Sequence, residues 1–209
     1  MENEALEIQE FYNDIAQRFA DEWYDNDSLL DTLKHFLSLL PHSPIVLDLG
    51  CGAGYESMRL KKLGAQVVGI DYSEAPIQIA RDRNPDCRFE VMDFRSISPE
   101  LGRFDGIVAI ASLIHIKDEE LARVFNGMKS VLSAGGYVMV ILKEGKGLSS
   151  EHTHIERDGK KYNRYFYLHG RADLDKIAGC VGFAFFAEWP LSKEQQEFGW
   201  KCFVYHSVE

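Results

Sequence analysis

The stretch from Val46 to Ser57, VLDLGCGAGYES, constrains the fold more than any other part of the chain. An apolar run that ends at Leu49 is followed by glycines at three alternate positions, Gly50, Gly52 and Gly54, and then by a helical pattern. Glycine has no Cβ, so the chain can turn tightly there and its backbone can come within contact distance of a ligand. Such a turn after the first strand of a parallel sheet forms the crevice where nucleotide-like ligands bind.

The residues around this turn indicate which nucleotide is bound. The nicotinamide-type fingerprint, GxGxxG/A, requires a small third residue for close packing of helix on strand, whereas this chain has Tyr55 there. An acid, Asp48, stands two residues before Gly50. A carboxylate at the end of an apolar strand is costly to bury unless it meets a donor or a cation. A ligand that carries an α-ammonium group would supply one.

Two further acids end the next two predicted strands. The run QVVGIDYS places Asp71 21 residues after Gly50, near the spacing at which a strand-two acid meets ribose hydroxyls. A carboxylate can accept from both hydroxyls of a ribose at once. The run RFEVMDF ends a third strand at Asp93. Each acid alone is typical of a solvated or helix-capping residue, but three acids at successive strand tips beside a triple-glycine turn favour a ligand site.

This pattern, with LSAGGYVMVIL as the junction into a fifth strand, resembles the class I S-adenosylmethionine (SAM) methyltransferases over Ile45 to Lys143. The resemblance implies that Asp48 and the glycine backbone hold the methionine moiety of SAM and that Asp71 accepts from the ribose. It also implies that Asp93 accepts from the adenine amino group, next to Phe94, and that Tyr72 packs on the ring. The cofactor-binding residues implied are Asp48, Gly50, Cys51, Gly52, Gly54, Asp71, Tyr72, Asp93, Phe94 and Ala111. Because Asp71 lies at a strand tip, we expect Asp71→Ala to weaken cofactor binding and to leave folding nearly unchanged.

The expected fold is an α/β three-layer sandwich with a seven-stranded, mostly parallel sheet whose last strand is antiparallel. A single domain of residues 1–209 is predicted, and its parts are a helical cap, the cofactor core, a hairpin insertion and a C-terminal helix with strands. These parts are residues 1–43, 44–143, 144–169 and 170–209. The cap forms an N-terminal helical lid, for which Tyr12, Phe19 and Trp23 are the candidate residues, although packing against the sheet alone would also explain them. Asp27 or Ser28 is expected to cap the second helix, and Asp118 a later one.

The acceptor site is predicted from position. His115 follows the fourth strand, where it could take a proton near neutral pH. The insertion carries a hairpin signal at Asp158-Gly159 and a mixture of aromatic and donor side chains. We predict that His115, Tyr165 and Tyr167 serve catalysis, with His169 nearby, and that only one alternation set of the segment faces the pocket. Methyl transfer needs mainly in-line placement of the reactants, and a base only for acceptors that must lose a proton.

Composition limits the cellular compartments and the binding partners that we expect. The net charge of −10 disfavours nonspecific binding to nucleic acid or anionic membranes. The four cysteines are far apart, and the chain lacks a secretion signal or a membrane-length apolar run. We therefore expect a cytoplasmic protein, monomeric or homodimeric. Alternating His152, His154 and Glu156 could hold a metal, but an exposed polar face is the commoner arrangement, and no metal is predicted.

Methyl transfer from SAM to a small-molecule acceptor is the predicted function. The first alternative is an RNA enzyme that resembles the tRNA wobble-uridine methyltransferases, because aromatics interleave with a basic stretch formed by Arg157, Lys160, Lys161, Arg164 and Arg171. The second is a SAM-binding regulator without turnover. A nicotinamide oxidoreductase is a weaker alternative because of Tyr55.

Overall fold

The computed structural model describes residues 2–149, 153–157 and 159–208. The described α-helices are α1 (Glu2–Trp23), α2 (Leu30–Leu37), α3 (Tyr55–Lys62), α4 (Glu74–Arg83), α5 (Asp118–Val131), α6 (Arg171–Cys180) and α7 (Lys193–Glu197). The described strands are β1 (Ile45–Leu49), β2 (Gln66–Asp71), β3 (Arg88–Val91), β4 (Phe104–Ile110), β5 (Leu132–Lys143), β6 (Gly147–Ser149), β7 (His154–Arg157), β8 (Lys160–Asn163), β9 (Phe166–Leu168), β10 (Phe183–Trp189) and β11 (Trp200–Ser207). None of the described helices is long and apolar enough to cross a membrane.

Seven strands form the central sheet, in the order β3-β2-β1-β4-β5-β11-β10. The pairs among β1 to β5 are parallel, and β11 runs antiparallel to both β5 and β10. This confirms the predicted mostly parallel sheet with an antiparallel last strand. In the register, Asp48 of β1 lies beside Gly69 of β2 and Val108 of β4. The carboxyl ends of the parallel strands therefore meet at one edge of the sheet, where ligands bind in this class of fold.

Helices cover both faces of the sheet, which confirms the three-layer arrangement. Leu33 and Phe36 of α2 and Leu60 of α3 are buried in a cluster on one face. On the other face, Phe125 of α5 and Leu174 of α6 belong to a second buried cluster. Full burial of each such side chain contributes about 1.5–3 kcal/mol. These two clusters hold the strand ends, and with them the site, in place.

Helix α1 lies against α4. The Gln9 side chain donates to the Tyr72 carbonyl (2.5 Å), and the Ala75 amide donates to Asn13 (3.0 Å). The predicted capping residues of α2 are wrong: the helix starts after Leu29 without a side-chain cap, because the Asp27 carboxylate accepts from Arg59 instead (3.4 Å).

The insertion forms two small antiparallel pairs, β6 with β9 and β7 with β8. Arg157 pairs with Lys160, which places the predicted hairpin turn between them; Asp158 of that turn lies outside the described residues. Further on, the polar segment after β10 contains the short helix α7, because Ser192 and Gln195 form a reciprocal capping box.

Candidate functional site

A cavity of about 390 Å³ lies at the carboxyl ends of β1 to β5, between α1 and the insertion. Most of the predicted site residues line it: Asp48, Gly50, Cys51, Gly52, Asp71, Tyr72, Asp93, Phe94, Ala111, His115 and Tyr167. The structure places Gly54 and Tyr165 outside this lining. All three candidate lid residues of α1, Tyr12, Phe19 and Trp23, also belong to it. Cavities of this size are typical of small-molecule and cofactor sites.

The glycine turn is held to β2 by its own backbone. The amides of Gly50 and Cys51 both donate to the Ile70 carbonyl, at 2.8 and 3.0 Å. Gly50, Gly52 and Gly54 all have left-handed φ values, between +51° and +80°. A Cβ on Gly52 would meet nothing within 4 Å, so this position opens onto the cavity. A Cβ on Gly54 would lie 2.9 Å from Ala80, so this glycine allows α3 to pack closely on α4 rather than facing the cavity.

Asp48 is almost fully buried beside the turn, with 2% of its surface exposed. The Ser57 hydroxyl donates to its carboxylate at 2.6 Å. Burial raises the pKa of Asp48 to about 7, the Ser57 hydrogen bond opposes that shift, and the negative charge of Asp71 adds to it. A ligand that brings a positive charge would therefore stabilise the ionised form of this carboxyl group.

Asp71 supports the turn as well as facing the cavity. Its carboxylate accepts from the amides of Gly52 (3.0 Å) and Ser73 (2.8 Å), one on each oxygen. Burial raises its pKa in spite of these hydrogen bonds. The expectation that Asp71→Ala would leave folding nearly unchanged is therefore revised, because the substitution would remove the acceptor of two backbone amides.

Asp93 is paired with an arginine that the sequence analysis missed. The Arg95 guanidinium donates to both Asp93 oxygens, at 2.6–3.0 Å, and to Glu120 at 3.1 Å. Partial burial would raise the pKa of Asp93, but the hydrogen bonds and the charge of Arg95 outweigh it and hold the pKa below its usual value. Arg95 and Glu120 both line the cavity. An arginine two residues after a strand-end acid is the signal that could have revealed the pair.

The loop after β4 contains a strained residue. Ala111 has φ +53°, an uncommon value for a residue with a side chain, and its amide donates to the Ile141 carbonyl at 2.8 Å. The next residue, Ser112, is buried, and its hydroxyl has no hydrogen-bond partner in the described part of the chain. Both residues line the cavity. Strain and an unsatisfied donor at one place are typical of a ligand contact.

His115 is fixed between α1 and the insertion. Its Nδ1 lies 3.0 Å from the Tyr165 carbonyl, and its Nε2 lies 2.8 Å from the Tyr12 hydroxyl. A carbonyl can only accept, so Nδ1 carries the proton and Nε2 accepts from Tyr12. Desolvation by the surrounding protein lowers the pKa of His115 to about 4. The imidazole is therefore neutral at physiological pH.

The insertion reaches the cavity through residues that differ in part from those predicted. Tyr165 has φ +36° and donates to Glu7 on α1 (3.1 Å), so its side chain is used in a contact with the helix. Phe166 and Tyr167 are adjacent residues of β9 and both line the cavity, contrary to the prediction that only one alternation set faces the pocket. Arg164 also lines it, with its guanidinium 4.6 Å from the Phe166 ring centre.

His169 has a structural role. It is buried, its Nδ1 lies 2.9 Å from Asp118, and its Nε2 lies 3.1 Å from the Leu113 carbonyl. The expected helix cap at Asp118 is wrong, since Lys117 occupies the capping position.

The weaker metal hypothesis includes His152, which lies outside the described residues. His154, the next histidine of that hypothesis, contacts Asn163 (2.7 Å). Within the described ranges, no group of three or more His, Cys, Asp or Glu side chains could hold a metal ion.

Acidic residues along one side of α1 bind the insertion and the loop before α5; we call these contacts the α1 clamp. Lys160 contacts Glu10 (2.8 Å) and Asp14 (2.5 Å). Asn163 donates to Glu7 (2.8 Å). Lys117 pairs with Glu4 (2.5 Å). The clamp holds α1 over the cavity.

Comparison with known proteins relates this chain to methyltransferases. Residues 46–136 match a family model described as a methyltransferase domain. The chain is 40% identical over 84 residues to the magnesium-protoporphyrin O-methyltransferase of Rhodobacter capsulatus, a match that covers 38% of this chain and 37% of that protein. It is 30% identical over 152 residues to the ubiquinone biosynthesis O-methyltransferase of Chromobacterium violaceum, over 65% of this chain and 61% of the relative. The matches thus span less than two thirds of either relative.

A solved structure shows the same fold over nearly the whole chain. It is the Burkholderia thailandensis 1,6-didemethyltoxoflavin-N1-methyltransferase with bound 1,6-didemethyltoxoflavin and S-adenosylhomocysteine. The two share 15% identity and a TM-score of 0.75, with coverage of 98% of this chain and 89% of that one. Taken with the sequence matches and the glycine turn, residues 46–136 match a methyltransferase domain and resemble the class I SAM-dependent methyltransferases.

Proposed function

We propose that this protein transfers a methyl group from SAM to a small-molecule acceptor, and that the acceptor atom is an acidic oxygen. The observation that carries the proposal is the division of the cavity. One wall, which we call the cofactor wall, contains the glycine turn and the strand-end acids. The other, which we call the acceptor wall, is formed by aromatic and apolar side chains with a few cationic ones. In-line transfer requires donor and acceptor to be held together in this way.

The cofactor wall fits SAM by its shape and its unsatisfied polar groups. Gly52 leaves space for a ligand beside the turn, and the buried Ser112 hydroxyl has no partner among the described residues. In our proposal the turn and Asp48 hold the methionine moiety and Asp71 the ribose. Asp93, Phe94 and Tyr72 hold the adenine. When bound, SAM would supply a methyl group on a positively charged sulfur, and the methyl carbon is the electrophile.

The protonation states of the acceptor wall argue against a strong base. Burial raises the pKa of Tyr12 to about 12, and desolvation lowers that of His115 to about 4. Both shifts oppose proton transfer from the Tyr12 hydroxyl to His115 Nε2, so the tyrosine stays protonated and the imidazole neutral. The pair instead holds the Tyr12 hydroxyl in a defined orientation as a hydrogen-bonding group.

An acceptor that ionises by itself needs no such base, and the charges around it support this choice. Lys143 and Arg164 are half-buried in the lining, and both favour an anion nearby. The apolar lining includes Ile114, Phe166 and Trp200, which suits a ligand with a hydrophobic body. Two curated relatives are named O-methyltransferases, which supports an oxygen acceptor.

The structure favours neither alternative. Lys160 of the basic stretch is paired with two acids of α1, Arg164 faces the cavity, and Arg171 lies near Asp175 (3.5 Å). Arg157 and Lys161 remain exposed, so the stretch offers only a small footprint to an RNA backbone, whose phosphates need accessible cations. A regulator without turnover is distinguished by assay alone.

The experiment uses purified protein, isotope-labelled SAM and acceptor compounds of matched size. Carboxylic acids and acidic phenols are compared with alcohols and amines that carry the same hydrophobic body. We expect methyl esters or ethers from the acidic oxygens, with stoichiometric S-adenosylhomocysteine. Transfer only to amines or to unactivated alcohols would contradict the oxygen assignment, and a protein that binds SAM but methylates nothing in a wider screen would favour the regulator.

A further inference from the structure

Glu56 is a buried carboxyl group that the assignments above do not use. It lies in the first turn of α3, directly after the glycine turn, and is 6% exposed. It belongs to the cavity lining. Its Oε2 atom is buried and has no hydrogen-bond partner in the described part of the chain. A buried carboxylate oxygen without a partner is costly, and native structures rarely leave one unless a ligand or water completes it.

The nearby arginine does not satisfy this carboxylate. Arg59 Nη1 lies 3.5 Å from Glu56 Oε1, an ion-pair distance at which it makes no hydrogen bond. The remaining nitrogens of Arg59 are directed to the end of α1. Nη2 donates to the carbonyls of Trp23 (2.6 Å) and Tyr24 (3.1 Å), and Nε to Asp27 (3.4 Å). Arg59 therefore ties α1 to α3 and leaves Glu56 Oε2 for another donor.

The charges around Glu56 specify what that donor is. Arg59 on its own helix, Asp48 on β1 and Asp27 after α1 are the charged groups that act on it. Burial raises the pKa of Glu56 to about 7, Arg59 opposes this shift, and the two acids add to it. Glu56 and Asp48 thus form one acidic end of the cavity, beside the glycine turn. Both are acceptor-only when ionised, so together they suit a group with several N–H donors and a positive charge.

We propose that Glu56 Oε2 accepts a hydrogen bond from the α-ammonium group at the amino-acid end of the cofactor. The inference rests on the proposed function, since it assumes that the ligand at the glycine turn is SAM. Glu56 is then a specificity residue for that end of the cofactor. It distinguishes SAM and S-adenosylhomocysteine from adenosine derivatives that lack an amino acid.

Calorimetry with two ligands tests the inference on the purified full chain. S-adenosylhomocysteine carries the amino-acid end, whereas 5′-methylthioadenosine has the same adenosine and thioether without it. We expect Glu56→Gln to weaken S-adenosylhomocysteine binding at least tenfold and 5′-methylthioadenosine binding less than twofold. The matched control is Glu74→Gln, since Glu74 also lies in the first turn of a helix after a parallel strand but is exposed. That control should leave both affinities unchanged.

A second variant keeps the test valid if Glu56→Gln fails to fold. Glu56→Asp keeps the charge beside Arg59 and withdraws the carboxylate by one methylene, so it should fold and show the same selective loss. Equal weakening of both ligands, or of neither, by the variant that folds would overturn the inference. So would a wild-type protein that binds the two ligands equally. A wild type that binds neither ligand would instead contradict the proposed function.

Discussion

Two glycines of the same turn should respond differently to the same added methyl group. Gly50 and Gly52 both have left-handed φ values, +77° and +51°. A Cβ on Gly50 would lie 2.4 Å from the Cβ of Ser112, whereas a Cβ on Gly52 would meet nothing within 4 Å. Gly50→Ala therefore adds both backbone strain and a steric overlap with the loop after β4. Gly52→Ala adds strain alone, and places a methyl group in the cavity.

The magnitudes follow from these two costs. A left-handed backbone costs an alanine about 1–2 kcal/mol. Overpacking in a closed site adds about 1–3 kcal/mol. We expect Gly50→Ala to lower the free energy of unfolding by about 2–5 kcal/mol and Gly52→Ala by about 1–2 kcal/mol. The first loss is a large fraction of the ~5–15 kcal/mol that typically stabilises a domain.

Equilibrium urea denaturation, followed by tryptophan fluorescence, measures both losses. Gly147→Ala is the matched control, because Gly147 has φ +72°, open space around its Cβ and a place outside the cavity lining. It should match Gly52→Ala in stability. Gly52→Ala, unlike Gly147→Ala, should also weaken S-adenosylhomocysteine binding at least tenfold, and Gly52→Val more. Equal stability losses at Gly50 and Gly52, or full affinity in Gly52→Ala, would refute the reasoning.

Three further predictions concern the acids of the site and the α1 clamp. Asp71→Ala should weaken S-adenosylhomocysteine binding by about 1.5–3 kcal/mol and also lower the free energy of unfolding by about 1–3 kcal/mol, by calorimetry and urea denaturation; wild-type affinity would exclude it as a ligand. Asp48 and Glu56 have raised pKa values of about 7, so they stabilise the ligand-free protein fully below about pH 4 and lose that contribution as the pH rises through 7. Urea midpoints measured from pH 4 to 8 should show a smaller fall in Asp48→Asn than in the wild type, and identical profiles would contradict these values. Lys160→Glu should increase the rate of cofactor dissociation, measured by stopped flow, but by less than about tenfold, because surface ion pairs are weak. If salt increases the rate in the wild type and the variant dissociates at the wild-type rate, the Lys160 contacts of the clamp do not retain the cofactor.

The sheet and the cofactor wall could be predicted because their signals are local in sequence. Each strand-end acid follows its own apolar run, and parallel strands bring their carboxyl ends together whatever the helices between them do. Asp48, Asp71 and Asp93 therefore line one cavity. The order of the strands determines which residues are neighbours, but it does not determine which hydrogen bonds they form. The support that Asp71 gives to the glycine turn could not be derived from spacing, whereas Arg95, two residues after Asp93, was a local signal of the ion pair.

The acceptor wall was predicted less well because its parts come from distant segments. Tyr12 and His115 are 103 residues apart, and Lys160 and Glu10 are 150 apart. Such contacts depend on how α1 and the insertion pack, which no local period encodes. The left-handed backbone at Tyr165 is a further example: it turns the tyrosine towards α1, so that Phe166 and Tyr167 reach the cavity instead.

The acid-rich composition has a different meaning once the structure is considered. The net charge of −10 suggested a chain that repels polyanions. Acids of α1, among them Glu4, Glu7, Glu10 and Asp14, form the clamp, where they neutralise or hydrogen-bond the insertion and the loop before α5. The strand-end acids belong to the sheet, whereas the wall that we assign to the acceptor is formed where α1 and the insertion meet. We infer that acceptor choice resides in that contact, since changing either segment alters the acceptor wall while the strand ends that face the cofactor stay in place.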